Sequence, residues 1–145
     1  MTENQRSRLN GLENSVSVFA IYISLKEHSL LYDKSNFNYF AEPDAWVGGN
    51  YTEDTWPYMY AMYPAAMQAD SKYADTISIM CFMRYDEVKT WADTHNTTLK
   101  KNERGETYTQ FKRRKAEKLL DVVEEKFPNF RRHIESYYTA TPLTF

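Results

Sequence analysis

Residues 15–26 read SVSVFAIYISLK, and this stretch decides the fold class. It is rich in β-branched and aromatic residues, which favour a strand. A two-residue period places Phe19, Ile21, Ile23 and Leu25 on one face and Val18, Ala20, Tyr22 and Ser24 on the other. Because both faces are largely apolar, the stretch predicts an interior strand of a sheet.

Other extended stretches lie on both sides of this one along the chain. A second strong strand is predicted at Thr76–Tyr85, where Ile77, Ile79, Cys81 and Met83 alternate with Met80 and Phe82. Weaker patterns predict extended segments at Asn36–Phe40, at Trp56–Tyr63 with Pro57 at its start or on an edge, and at Glu135–Pro142. Pro43–Asn50, with Trp46 and two glycines, predicts a turn or a short irregular helix, and Ala65–Ser71 predicts a loop.

One long helix is predicted at Glu106–Phe127, where apolar residues recur at helical spacing and Pro128 forces the end. A short helix is expected at Tyr85–Thr94 with Asp86 as its cap, and Asn129 is expected to cap one further turn that ends near Ile134. Four strands, two helices and a final strand predict an α+β fold. We expect an antiparallel or mixed sheet, packed on one face by the long C-terminal helix, in a single domain spanning residues 1–145.

Composition excludes several classes of function. The chain has 145 residues, 42% of them hydrophobic, and a net charge of −2, so it is neither disordered nor strongly basic, and no nucleic-acid partner is expected. Cys81 is the only cysteine, which excludes an internal disulfide and a cysteine-built metal site. The longest apolar run, Val18 to Ile23, is too short to span a bilayer, and no export leader opens the sequence. We therefore expect a cytoplasmic protein.

The usual catalytic and cofactor motifs are absent: the sequence has no dinucleotide-binding turn, no P-loop and no nucleophile elbow. The three histidines are scattered, so no metal site is expected, and no catalytic residue can be named. Cys81 alternates with apolar residues and is interpreted as a buried, inert thiol. The basic run Lys112–Lys115 and the paired carboxylates, such as Glu53 with Asp54, are interpreted as solvated surface.

Aromatic residues make up 16% of the chain, and many of them fall with methionines in the two stretches 56–63 and 80–83. The predicted strands carry large apolar side chains on both faces, which is more surface than one helix can cover. Two interpretations remain open. The surplus face forms further core or a homodimer interface, or it lines a pocket for a long apolar ligand. For the second, the expected substrate-facing residues are Tyr58, Tyr60, Met80 and Phe82.

The last thirty residues carry a resemblance to a known family. Ala116–Phe145 (AEKLLDVVEEKFPNFRRHIESYYTATPLTF) combines a helix, a Phe127-Pro128 break, a strand and the step Thr141-Pro142-Leu143-Thr144. It resembles the flavoprotein group of phytoene desaturases, carotenoid isomerases and all-trans-retinol 13,14-reductases (retinol saturases). Leu12–Lys26 is also similar to a strand of that group which re-enters the substrate domain.

The resemblance implies the substrate-binding part of an FAD-dependent oxidoreductase that moves hydride between flavin and a carbon–carbon bond of an isoprenoid. It places the FAD-binding domain elsewhere, so this chain alone is expected to hold no FAD and to be inactive. Thr141, Pro142 and Thr144 are the residues implied to approach the flavin. The implied partners are an apolar isoprenoid-like molecule and the FAD-binding domain, with peripheral membrane contact allowed for the larger enzyme. The rival hypothesis is a non-enzymatic binding or dimerisation module.

Overall fold

The protein is a five-stranded antiparallel sheet with one long helix packed against it. A computed structural model describes residues 5, 7, 8, 11, 16–44, 48–97, 99–101 and 103–144. The strands follow the order β2-β3-β4-β1-β5 across the sheet. Their bounds are β1 Ser17–Leu25, β2 Phe37–Phe40, β3 Met59–Ala65, β4 Thr76–Met83 and β5 Ile134–Ala140, and the helix α1 is Gly105–Lys126. The predicted α+β fold is confirmed. Trp46, Leu12–Ser15 and Phe145, which the sequence interpretation used, lie outside the described residues.

The two strongest sequence patterns form the centre of the sheet. β1 pairs with β4 so that Phe19 lies opposite Cys81 and Ile21 opposite Ile79. These four residues are buried beneath α1. We call this side the helix face. The predicted alternation of β1 and its interior position are confirmed, because β5 pairs along its other edge.

The third strand begins later than predicted. β3 starts at Met59, not Trp56, and it continues through Ala65, which the sequence assigned to a loop. Trp56 is buried instead, and its indole Nε1 donates a hydrogen bond to the carbonyl of Phe82 at 2.8 Å. Pro64 lies within β3, but β2 pairs only with residues Met59 to Met62. No β2 residue lies opposite Pro64, so the missing backbone N–H of this proline costs no hydrogen bond to β2.

The predicted long helix is confirmed with its ends shifted by one residue. α1 buries the stripe that includes Phe111, Leu119 and Val123, and it ends before Pro128. The expected short helix at Tyr85–Thr94 is instead two 3-10 turns, Tyr85–Glu87 and Lys89–Trp91.

Of the two predicted caps, Asp86 is wrong and Asn129 is confirmed in position only. Asp86 lies within the first 3-10 turn, where no side chain caps it. The fully buried Val88, at φ −122°, separates the two turns, so no longer helix forms there for Asp86 to cap. The further turn is confirmed as the 3-10 turn Phe130–His133, with Asn129 at its N-cap position, but the Asn129 side chain makes no capping hydrogen bond. Asn129 has φ 62°, a left-handed conformation that asparagine tolerates.

Candidate functional site

The face of the sheet opposite α1 carries no charged residue on its strands. This second face consists of alternate residues of each strand, beginning at Val18, Asn38, Met59, Thr76 and Ser136. Across the middle of it, Ala61, Met80, Ala20 and Ala140 lie side by side on neighbouring strands. Charged residues are 26% of the chain, so a partly exposed face without any charge is unusual for a surface that meets only water.

One end of the second face is covered by the chain itself. Gly48 packs directly on the ring of Phe82, where a Cβ on residue 48 would lie 2.8 Å from two ring carbons. The Cγ of Met59 would lie 3.4 Å from the same added Cβ. Only glycine fits at this position, so the contact fixes the end of the face that contains Phe82.

The other end of the second face is exposed. Tyr22 and Tyr138 stack with ring centroids 4.9 Å apart, and Tyr138 remains 67% exposed. Tyr63, on β3 and in the same row as Ser78 and Tyr22, is 40% exposed. A shallow depression of about 200 Å³ opens here between the β1 and β4 side chains and Tyr138. The row offers aromatic surface and hydroxyl groups to a ligand or a partner.

The four predicted substrate-facing residues do not form one wall. Met80 and Phe82 lie on the second face, as a shared wall requires. Tyr60 lies on the helix face, fully buried and stacked on Tyr39 with centroids 5.1 Å apart. Tyr58 precedes β3, where its carbonyl accepts a hydrogen bond from the Ala41 amide. The register between β3 and β4 pairs Ala61 with Met80, so Ala61 shares the second face with Met80. Tyr60, the neighbour of Ala61 in the strand, therefore lies on the helix face.

The hydroxyl of the buried Tyr60 has no hydrogen-bond partner among the described residues. Burial, followed by the nearby Tyr39 and Glu125, raises the pKa of Tyr60 to about 12. The tyrosine is therefore neutral at physiological pH, and nothing around it makes it an acid or a base.

Of the residues implied to approach a flavin, two are enclosed by the chain itself. Thr141 is fully buried, and its hydroxyl pairs with the Tyr108 hydroxyl at 2.9 Å and accepts the Leu143 amide. Pro142 is also buried, and only Thr144 is exposed. Thr141 and Pro142 therefore do not fit a direct contact with a cofactor unless this turn opens.

A larger cavity lies on the helix-face side, where the C-terminal end of α1 meets the segment after β1. It has a volume of about 440 Å³, within the range of small-molecule sites. Its lining is mainly apolar and includes Met62, Ile77, Phe127 and Phe130, with Asp33, Lys126 and His133 as polar groups. Burial, with the charges of Arg132 and Lys26, lowers the pKa of His133, so the imidazole is neutral at pH 7. We call this cavity the groove. No sequence pattern indicated it.

A buried lysine joins α1 by ion pairs to two other segments: the one before β3, which contains Glu53, and the one after β4, which contains Glu87. Lys115, expected in a solvated basic run, is only 1% exposed, because it follows Phe111 and precedes Leu119 by one helical turn each. Its Nζ lies 2.6 Å from Glu87, 3.1 Å from Glu53 and 4.4 Å from the centroid of the Trp56 ring. The spacing Phe111–Lys115–Leu119 is the sequence signal that could have found it.

The ion pair extends into a hydrogen-bonded chain. The Tyr51 hydroxyl donates a short hydrogen bond to Glu87 and accepts the Arg84 amide at 2.6 Å. Burial, and next Glu87, raise the pKa of Tyr51. For Glu53, burial opposes ionisation, but the hydrogen bond and charge of Lys115 outweigh it and lower the pKa. Each of these polar groups is already bonded to another group of the protein, so we interpret the cluster as a structural anchor rather than a catalytic site.

Cys81 is buried, as predicted, and burial raises its pKa well above the usual value. A thiol in that state is a poor nucleophile. Within the described residues, no three side chains of histidine, cysteine, aspartate or glutamate come together as metal ligands. In the same part of the chain, no helix has the length and apolar character needed to cross a membrane.

Comparison of the chain with protein-family models, curated proteins and solved structures found no match.

Proposed function

We propose that the chain is the substrate-binding portion of an FAD-dependent oxidoreductase that acts on carbon–carbon double bonds of a carotenoid- or retinoid-like substrate. The second face forms the wall against which that substrate lies. One observation carries the proposal: the face has no charge and is rich in tyrosine, methionine and phenylalanine. Ala20, Ala61 and Ala140 at its centre are buried, whereas Tyr63 and Tyr138 at its open end are exposed. The resemblance of Ala116–Phe145 supplies the family.

The physical basis is the match between this face and a long polyene. Such a molecule has little to hydrogen-bond and much apolar area, and burial contributes about 25 cal/mol for each Å² removed from water. Met80, between Ala20 and Ala61, has the unbranched, adaptable side chain that fits irregular apolar ligands. A charged residue on this face would lose its hydration when an apolar ligand covered it, and that loss would weaken binding. A face without charges avoids this cost.

Under this proposal, the chain alone does not hold the FAD cofactor. FAD supplies the hydride acceptor or donor of such reactions, and a separate domain holds it. Thr144 is the exposed member of the implied flavin contacts, whereas Thr141 and Pro142 serve to close the turn after β5. We place the larger enzyme in the cytoplasm, with peripheral membrane contact as its route to an apolar substrate.

A second candidate is a non-enzymatic module in which the second face binds another protein or a second copy. Interface centres are depleted in charged residues and enriched in tyrosine, methionine and phenylalanine, which is the composition of this face. Under this candidate, the purified chain associates through Tyr63 and Met80 and takes up no apolar ligand.

Titration with all-trans-retinol, followed by quenching of the intrinsic fluorescence, separates the two candidates. Met80→Lys puts a charge at the centre of the second face, and we expect it to weaken binding at least tenfold. Met67→Lys is the matched control, because Met67 is 88% exposed in a loop. Tyr63→Ser tests the same face by a gentler change, and circular dichroism checks the fold of each variant. Equal binding by all four proteins, or no saturable binding, would contradict the proposal.

A further inference from the structure

The shallow depression at the open end of the second face is lined mainly by residues that carry a hydroxyl group. It has a volume of about 200 Å³ and lies between β1, β4 and the side chain of Tyr138. Two of its seven lining residues, Ile23 and Ile77, have side chains buried in the core. The other five end in a hydroxyl group, and none of the seven is charged: Tyr22, Ser24, Thr76, Ser78 and Tyr138.

The five hydroxyl groups are unused within the described part of the chain. The β1–β4 register places Ser24 opposite Thr76 and Tyr22 opposite Ser78, yet no hydrogen bond joins any of these side chains to another described residue. Ser24, Thr76 and Tyr138 are exposed, and the other two are half-buried. Because a hydroxyl group both donates and accepts, the five can pair with a ligand that does the same.

The depression also has an aromatic wall. The rings of Tyr22 and Tyr138 stack with centroids 4.9 Å apart and planes 23° from parallel, and Tyr138 is 67% exposed. A tyrosine ring offers apolar surface with a polar tip. The shorter side chains of Ser24, Thr76 and Ser78 lie beside this wall. An aromatic wall next to free hydroxyl groups suits a ligand that has both C–H surface and hydroxyl groups of its own.

Size and charge narrow the class of ligand further. A cavity of about 150 Å³ holds a benzene ring, so a depression of about 200 Å³ admits one six-membered ring. A phosphate or a nucleic acid brings negative charge, and no cation lines the depression to meet it. A hydrocarbon chain leaves the five hydroxyl groups without partners. A neutral sugar has the required size, the absence of charge and the hydroxyl groups.

We infer that the depression binds one ring of a neutral sugar. The C–H surface of the ring packs on Tyr22 and Tyr138, and its hydroxyl groups bond to Ser24, Thr76 and Ser78. This site and the proposed substrate wall lie on different rows of the second face. Met80, at the centre of the wall, is two residues from Ser78 along β4, about 7 Å at 3.4 Å per residue.

Titration of the ¹⁵N-labelled chain with the methyl glycosides of glucose, galactose, mannose and N-acetylglucosamine tests the inference. Each probe is a single neutral sugar ring. We expect at least one of them to bind saturably in the millimolar range, since one ring makes few contacts. Its binding should shift the backbone amide signals of residues 22–24, 76–78 and 136–138.

Two variants remove the proposed contacts one at a time. Tyr138→Ala removes the exposed half of the wall and should weaken binding about tenfold. Thr76→Val keeps the branched shape, removes the hydroxyl group and should weaken binding about fivefold. The matched controls are Tyr137→Ala and Thr139→Val, because these β5 residues lie opposite Ile23 and Ile21 on the helix face. Circular dichroism checks the fold of each variant.

The absence of saturable binding by all four glycosides would overturn the inference. So would site variants that weaken binding no more than the controls do. Shifts of the same amides by all-trans-retinol and by no glycoside would assign the depression to the apolar substrate instead. Shifts that appear when the chain alone is concentrated, with none added by a glycoside, would assign it to a second copy, and either result would also overturn the inference.

Discussion

Replacement of Lys115 by methionine tests the interpretation of the buried ion pair as the anchor between α1 and the neighbouring segments. Methionine keeps most of the apolar stem and removes only the charge. In the wild type that charge lies 2.6 Å from Glu87, whose side chain is 15% exposed, and 3.1 Å from Glu53, whose side chain is 63% exposed. The variant leaves Glu87 without its cation in a largely desolvated place.

The expected cost follows from these two exposures. Removal of one partner from a buried ion pair costs about 3–5 kcal/mol, because the remaining charge stays buried. The contact of Lys115 with the Trp56 ring contributes about 0.5–2 kcal/mol to the same total. Since Glu53 is exposed, Glu53→Gln should cost no more than about 1 kcal/mol. We therefore expect Lys115→Met to lose about 3–5 kcal/mol, a large share of the stability of a domain this size.

Urea unfolding followed by tryptophan fluorescence measures this difference. The double variant Lys115→Met with Glu87→Gln removes both charges, and we expect it to recover much of the loss, because no unpaired ion remains. A loss below about 1 kcal/mol for Lys115→Met would refute the reasoning. So would a double variant no more stable than the single one.

Three further predictions concern single side chains. Tyr60→Phe removes a buried hydroxyl without a described partner, so unfolding free energy should stay the same or rise by about 1 kcal/mol, and a clear loss would contradict this. Arg131→Gln should lower it by about 1–2 kcal/mol, since Arg131 contacts three acids of α1 within 3 Å; exposed Arg132→Gln is the control. Burial lowers the pKa of His133 below 6.5, so folding favours its neutral form. Its contribution to stability is complete above pH 6.5 and is lost as the pH falls through the folded-state pKa; His133→Gln should lose this dependence, and an unchanged pH profile would count against it.

The fold was largely accessible from the sequence because its central strands are strongly patterned. A period of two in Ser17–Leu25 and Thr76–Met83 determines which residues share a face, and Pro128 determines where α1 ends. The cap at Asp86 was wrong because local spacing does not show where a buried residue such as Val88 interrupts a helix.

The site was accessible only in part, because it depends on contacts between distant residues. Whether Tyr60 shares a face with Met80 is decided by the register between β3 and β4, and neither strand pattern contains that register. Lys115 was placed on a solvated face because its partner Glu53 is 62 residues away in the sequence. Met80 and Phe82 were correctly grouped on one face, since they belong to one strand.

The most direct test of the second face as a substrate wall uses the chain labelled with ¹³C in its methionine methyl groups, titrated with all-trans-retinol. Met59 and Met80 lie on the second face, Met83 lies buried on the helix face, Met62 lines the groove, and Met67 is exposed in a loop. We expect saturable shifts at Met59 and Met80, with Met67 and Met83 unchanged. Shifts confined to Met62 would place the ligand in the groove instead, and shifts at no methionine would leave the second face without an apolar ligand; either result would contradict the account.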